Sequence, residues 1–372
     1  MIKLDFKRDI DGFYIINKNN GANFSITEVI NPFDGSPEEC NVWLTQGKNR
    51  VVVKTNSDEG YIMSLYAEML FSKFAEKNNI SSAKTDVAIY NGRVSVLSKD
   101  VNDSEQSELI NCAQLMKMAR IKYCNYTVKD FMEMLNTVKD FMNREQYDAV
   151  RVGEDFEKDL IRAVVVDFLT WQEDRHWGNL AVKVVCDKKG YRIDLAPLFD
   201  NEGVFNLMTF RSKFTEHADY LKKVIECERY SVLEFPYFVL AYVEDEVLDN
   251  IPVLGLNRCM TANFNTSEQR KEAFRKYNSS NGIEYLTQVF LEDLVEIVKE
   301  GKESLKREII KLNFDAELYV KEIEEETGFK IPLVFAKFAE IKFYERKKLL
   351  LDKFRAYGLE NGGDTNEDCV VL

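Results

Sequence analysis

The sequence predicts an α+β protein in two parts: a β-rich unit with one helix over residues 1–100, and a mainly helical unit over residues 101–358. Three observations carry this. Strand-like runs and turn pairs punctuate the first hundred residues, helical periodicity dominates after them, and no low-complexity linker separates the two patterns. The parts should therefore pack as two lobes with a cleft between them. Residues 359–372, rich in Gly, Asp and Asn, are expected to form a disordered tail.

Taken in order, residues 12–16 and 24–30 read as short strands separated by the turn-prone KNNGAN, and residues 41–46 and 50–55 flank GKN as a hairpin. Apolar residues then recur at 62, 65, 66, 69, 70 and 74, a face of helical period that stops before Asn78 and Asn79. A strand over residues 84–90, the turn Asn91-Gly92 and a strand over 93–98 close the first unit. Helices are expected over 128–142 and 156–171, and a second strand pair, 181–186 and 191–195, interrupts them around the polar turn 187–190. Beyond residue 212 the pattern is again helical, broken at Pro236, Pro252, Gly282 and Pro332, and the last helix, 332–357, changes from an apolar to a Lys/Arg-rich face.

Composition narrows the class. An apolar share of 45% with 30% charged residues is the balance of a folded chain, not a disordered one. Fifty Lys and Arg against 63 Asp and Glu leave a net charge of −13, a field that repels a phosphate backbone, so no nucleic-acid partner is expected. Seven cysteines without a C-x-x-C pair build neither a disulfide framework nor a zinc ribbon, which fits a reducing, cytoplasmic setting. The two histidines, His176 and His217, stand apart from any Cys cluster, which argues against a zinc enzyme. The charged start MIKLDFKRDIDG has no apolar stretch, and the longest apolar run, 232–243, is broken by Glu234 and Pro236. Neither a cleavable signal nor a spanning helix is expected.

The segment FLTWQEDRHWGN, residues 168–179, carries the chemistry: an apolar helix runs into an acid, a base, an aromatic and an amide that core packing does not require. Asp174 and Asn179 stand at the spacing that a phosphoryl-transfer loop uses to set a carboxylate beside an attacking hydroxyl and an amide oxygen on a metal. After the second strand pair, APLFDNEG places Asp200 so that the chain can return another carboxylate beside Asn179. Such an oxygen pair suits Mg²⁺, completed by phosphate and water. Upstream, Lys54 ends the strand VVVK and Glu68 lies on the following helix, a cation and counter-charge suited to holding phosphates. FDGSPEECN, residues 33–41, falls one hairpin earlier, where a phosphate-covering loop would lie.

At these residues the chain resembles the HipA-like serine/threonine kinases, which share the bilobal protein-kinase-like fold with the phosphatidylinositol 3- and 4-kinases. The resemblance spans residues 34–205, through DGSPEECNVWL, VVVK, SLYAEMLFSKFA, VSVLSKDV, DRHWGN and YRIDLAPLFDNEG. It implies ATP and Mg²⁺ as cofactors and transfer of the γ-phosphoryl group to Ser or Thr of a protein substrate. Residue by residue, it implies Asp174 as general base with His176 supporting the loop, Asn179 and Asp200 as Mg²⁺ ligands, and Lys54, paired with Glu68, on the phosphates. It further implies Gly35 and Ser36 in the phosphate loop, with Ser36 a candidate autophosphorylation site, and the backbones of Leu97 and Lys99 against adenine. The loop departs from that family's pattern in keeping one glycine, Gly35.

Plainer readings stand beside these. D-R-H can be a structural ion pair at a helix end, Lys48 competes with Lys54, and Glu68 can be a surface residue. Trp171 and Trp177 read as packing around the loop, and His217 as exposed. A lipid kinase, or a pseudokinase serving as a nucleotide-binding scaffold, are the rival functions. The terminal CVVL fits a prenylation motif at Cys369, but the acidic NGGDTNED before it opposes attachment to an anionic leaflet, so no membrane partner is expected unless Cys369 is prenylated.

Overall fold

The computed structural model describes residues 2, 4, 6, 13–16, 24–30, 37–55, 62–102, 107–112, 114–115, 136, 140, 150–172, 175, 178–205, 207 and 303–356. The architecture is α+β, as the sequence predicts, with two β-sheets in the N-terminal half and helices at the C-terminal end. The first sheet contains β1 (Tyr14–Ile16), β2 (Ser25–Ile30), β3 (Pro37–Gln46), β4 (Asn49–Thr55), β5 (Thr85–Tyr90) and β6 (Arg93–Lys99), in the spatial order β1-β5-β6-β4-β3-β2. All its pairings are antiparallel except β1 with β5. The expected β5–β6 hairpin forms on Asn91 and Gly92, both at positive φ (51° and 77°), as a two-residue turn matched to strand twist requires.

Alternation along β4 decides where Lys54 goes. Val51 and Val53 are fully buried against Leu44, Leu97, Ile16 and Tyr14 on one face of the sheet. With a side-chain period of two, Lys54 belongs to the other face, in register with Val96, which is opposite Val87. Across that face runs α1 (Ile62–Lys77). The periodicity suggests one apolar face for this helix, yet every residue from Met63 to Phe71 is buried. The reason is that a second layer, from the C-terminal end of the chain, covers its other side.

That layer comes from the helices of residues 303–356. Before them come β7 (Ser107–Asn111), β8 (Val150–Val152), α2 (Phe156–Leu169), β9 (Ala181–Asp187) and β10 (Gly190–Leu195). The second sheet has the order β7-β9-β10-β8. Its short flanking strands β7 (SELIN) and β8 (VRV) offer too little alternation to be foreseen. Strand structure therefore continues past residue 100. α2 stops two residues earlier than expected: the Thr170 amide still bonds to the Val166 carbonyl, and Trp171 turns into the left-handed region at φ 50°. The helix expected over 128–142 lies outside the described residues apart from positions 136 and 140.

α3 (Glu303–Lys311), α4 (Ala316–Thr327) and α5 (Leu333–Ala356) close the fold. Asp315 caps α4 by accepting from the Leu318 amide, Gly328 ends it at φ 74°, and Pro332 precedes α5 as expected. Their core is aromatic. Phe314 lies within 4.8–6.0 Å, centroid to centroid, of Phe74 on α1, Phe205, Tyr319 and Phe343. Each such pair adds about 0.5–1.5 kcal/mol beyond burial. No described helix is long and apolar enough to cross a membrane.

Candidate active site

Lys54 reaches across from β4 to Glu68 on α1 and to Asp200 beyond β10, so one ammonium joins three segments distant in sequence. Glu68, 1% exposed, also accepts from the Asn201 amide at 3.2 Å through the same Oε1, while its Oε2 is buried with no hydrogen-bond partner. Burial alone would push the Lys54 ammonium down. The charges of Asp200, Glu68 and Glu202 more than offset that and hold its pKa well above the ordinary lysine value. Lys54 therefore stays cationic throughout the neutral range, beside three carboxylates. Lys48 sits in the exposed β3–β4 turn, so the structure brings Lys54 and not its competitor to Glu68.

Asp200 is held from both sides. Two residues earlier, the Leu198 amide bonds to the Ser81 carbonyl (2.9 Å) and the Leu198 carbonyl accepts from Ala83 (2.7 Å), which laces this segment to the chain just after α1. On its other flank lies Arg175, the middle residue of D-R-H. Arg175 donates to Asp167 through Nε and Nη2 (3.0 and 3.1 Å), to the Asn201 side chain through Nη2 (2.7 Å), and through Nη1 to the carbonyls of Asn179 (3.0 Å) and Phe199 (2.6 Å). All five guanidinium N–H groups are satisfied. One buried side chain thus pins the Asn179 segment and the Asp200 segment to each other and to the last turn of α2. Burial pushes the Asp167 carboxyl up, and the charge and hydrogen bonds of Arg175 offset only part of that.

Backbone strain gathers here too. Among the described non-glycine residues with positive φ, Asn79 and Asn91 sit in turns, where asparagine is tolerated. The other three, Trp171 (50°), Asp200 (55°) and Phe205 (61°), border this cluster. Left-handed backbone costs a non-glycine residue roughly 1–2 kcal/mol. The Phe205 amide donates to the Thr170 carbonyl at 2.5 Å, so two of the strained turns brace each other.

The residues present suit a divalent cation of the Mg²⁺ type. Among the described residues no group of three or more His, Cys, Asp and Glu forms a metal site by itself. Asn179, buried, and Asp200 supply an amide oxygen and a carboxylate on segments that share one guanidinium. That is the one- or two-ligand protein share that Mg²⁺ completes with phosphate and water. The orphaned Glu68 Oε2 and the three carboxylates around Lys54 make added positive charge favourable.

Several expected site residues lie outside the described set: Asp174, His176, Gly35, Ser36 and Cys369. Asp174 and His176 flank the described Arg175, and Gly35 and Ser36 fall in the connection between the paired strands β2 and β3. Leu97 and Lys99 both lie on β6. Leu97 is enclosed between β4 and β5, opposite Val53 and Asp86, and the Lys99 amide is spent on the Lys84 carbonyl (2.8 Å). Arg175 as the hub, its partners Asp167 and Asn201, and the charge of Glu202 went unforeseen. The position of Arg175 inside D-R-H was the one available signal.

No family model matches this sequence, and neither does any curated protein. Six chains among solved structures match. One is a proinflammatory kinase of Helicobacter pylori, CtkA, at 16% identity over 89% of this chain and 97% of that one, with a TM-score of 0.46.

Proposed function

We propose that this chain is an ATP- and Mg²⁺-dependent phosphotransferase that moves a γ-phosphoryl group to a Ser or Thr hydroxyl of a protein substrate in the cytoplasm. The observation that carries the reading is the Lys54–Glu68–Asp200 cluster: a strand lysine braced by a helix glutamate and facing the carboxylate of a distant segment. On ATP binding, Lys54 moves its charge from Asp200 onto the phosphates while Glu68 keeps the ammonium in place. Asn179 and Asp200 would hold the Mg²⁺, which would supply positive charge to the phosphoryl oxygens. Asp174 orients the acceptor hydroxyl and takes its proton as the oxygen bonds to the γ-phosphorus and the bond to the β–γ bridging oxygen of the leaving ADP breaks. Arg175 keeps the base-bearing and metal-bearing segments at a constant separation.

The test is incubation of the purified protein with γ-labelled ATP and Mg²⁺, alone, with a cell lysate, and with phosphoinositide vesicles. Label in lysate protein supports the reading. Label in the lipid fraction alone would move the acceptor to an inositol hydroxyl, and ATP binding without transfer would make the chain a nucleotide scaffold. Asp174→Asn should lower transfer by about 10²–10⁴-fold with nucleotide binding intact. Transfer within about threefold of wild type removes Asp174 from the role of base.

A further inference from the structure

We propose that Arg346, on the C-terminal helix α5, is a positioning residue that sets the turn leading from α2 to Arg175 and Asn179. This rests on the phosphotransferase reading above. The residue lies far from the nucleotide cluster in sequence, 178 positions from the carbonyl it binds.

Arg346 is 7% exposed. Its guanidinium carbon lies 4.2 Å from the ring centroid of Phe168 and 4.4 Å from that of Trp171, so it touches both aromatic rings at the end of α2. Its Nε donates to the Phe168 carbonyl, which also accepts from the Trp171 amide at 3.3 Å, in the last turn of α2, where the helix dipole favours a cation. The next residues are the left-handed Trp171, then the buried Gln172, whose amide bonds to the Asp167 carbonyl at 2.9 Å. Arg175 follows. The turn leading into the loop is therefore gripped twice, by Arg346 through Phe168 and Trp171, and by Arg175 through the Asp167 carboxylate.

Core packing alone does not call for an arginine at this place. Position 346 follows Phe343 by three residues and precedes Leu350 by four, on the buried stripe of α5, where a leucine would fill space without the cost of desolvating a guanidinium. What an arginine adds is a planar donor that can bond a carbonyl while lying against two rings. It fixes the direction in which the chain leaves the helix. Because the strained Trp171 backbone is held by the same contacts, loss of the guanidinium frees the turn to relax and carries the loop with it.

The experiment compares wild type with Arg346→Met, which keeps apolar bulk, and Arg346→Lys, which keeps charge without the plane. In steady-state transfer assays Arg346→Met should lower kcat by about tenfold to a hundredfold, the penalty of a misplacement near 1 Å, while KM for Mg²⁺-ATP stays within about twofold because the Lys54 cluster is untouched. Arg346→Lys should recover part of kcat. Amide hydrogen exchange, read without nucleotide, should accelerate at residues 170–172 and 175–180 in Arg346→Met and not in β4 or α1. A kcat within twofold of wild type together with unchanged loop exchange overturns the inference, as does exchange that rises uniformly through the chain. If wild type transfers no phosphate, the phosphotransferase reading fails and the exchange pattern decides the role of Arg346. If Arg346→Met does not fold, Arg346→Lys is read by the same two measurements and the same criteria.

Discussion

Two cations, buried Arg175 and half-buried Lys54, lie on either side of the candidate site, and they are satisfied differently. Arg175 has one carboxylate, Asp167, and three neutral oxygens, matched bond for bond to its five donors. Lys54 has three carboxylates within electrostatic reach, Asp200, Glu68 and Glu202, and beside it Glu68 Oε2 is buried without a hydrogen bond. The first arrangement is closed. The second gathers three carboxylates around one ammonium, where phosphate-bound metal is proposed to arrive. Closure marks the ion pair that holds shape, and the crowding of carboxylates marks the one proposed to bind.

The comparison breaks most visibly at Arg175. Arg175→Met leaves Asp167 buried beside no cation, and equilibrium urea unfolding should show a loss of about 3–5 kcal/mol. Arg175→Lys should recover little, because an ammonium cannot reproduce a five-donor fork. Asp167→Leu combined with Arg175→Met removes both charges and should restore part of the loss, the restored fraction measuring their coupling. A stable Arg175→Met single variant would show that the closed cluster does not hold the two segments.

A smaller effect tests the tether behind Glu68. On α1, buried Lys73 bonds Glu76 (2.9 Å) and reaches across to Glu326 on α4 (2.7 Å), and Lys77 bonds Glu322 (2.5 Å). The hydrogen bond from Lys73 holds Glu76 below the usual carboxylate range, and that from Lys77 does the same for Glu322. Folded pKa values that are depressed contribute stability above the ordinary carboxylate pKa and lose it as pH falls through the lower folded values. Lys73→Met should therefore be destabilised against wild type at pH 7 by no more than about 1 kcal/mol, since the carboxylates are mostly solvated. The gap should shrink as unfolding is repeated towards pH 3.

Much of the first sheet was legible because its strands alternate and its turns carry Asn-Gly or Gly-Lys pairs, which are local signals. Lys54 and Glu68 followed from the strand–helix order, and their meeting needed only that α1 cross the face opposite Val51 and Val53. What stayed illegible depends on distance in sequence. Nothing local to Asp167 says that it meets Arg175. Nothing near Trp171 says that Arg346 will lie against it, and no periodicity shows that α1 is covered on its second side by α4. The partners of Leu97 and Lys99 are hidden for a related reason: a strand's neighbours, and hence which of its amides are spent, belong to the sheet and not to the strand.

The proposed role of Asp200 as a Mg²⁺ ligand is tested most directly by the Mg²⁺-dependent thermal shift of Asp200→Ala. Wild type should rise in Tm with Mg²⁺-ATP and rise less with ATP plus a chelator; at a hundredfold excess over Kd the full ligand effect is about 2.7 kcal/mol. Asp200→Ala should keep the apo Tm, or gain slightly as a carboxylate leaves the crowded cluster, and should lose most of the Mg²⁺-dependent increment. A variant that unfolds without ligand, or folds and retains the whole Mg²⁺ increment, would make Asp200 a structural acid and contradict the account.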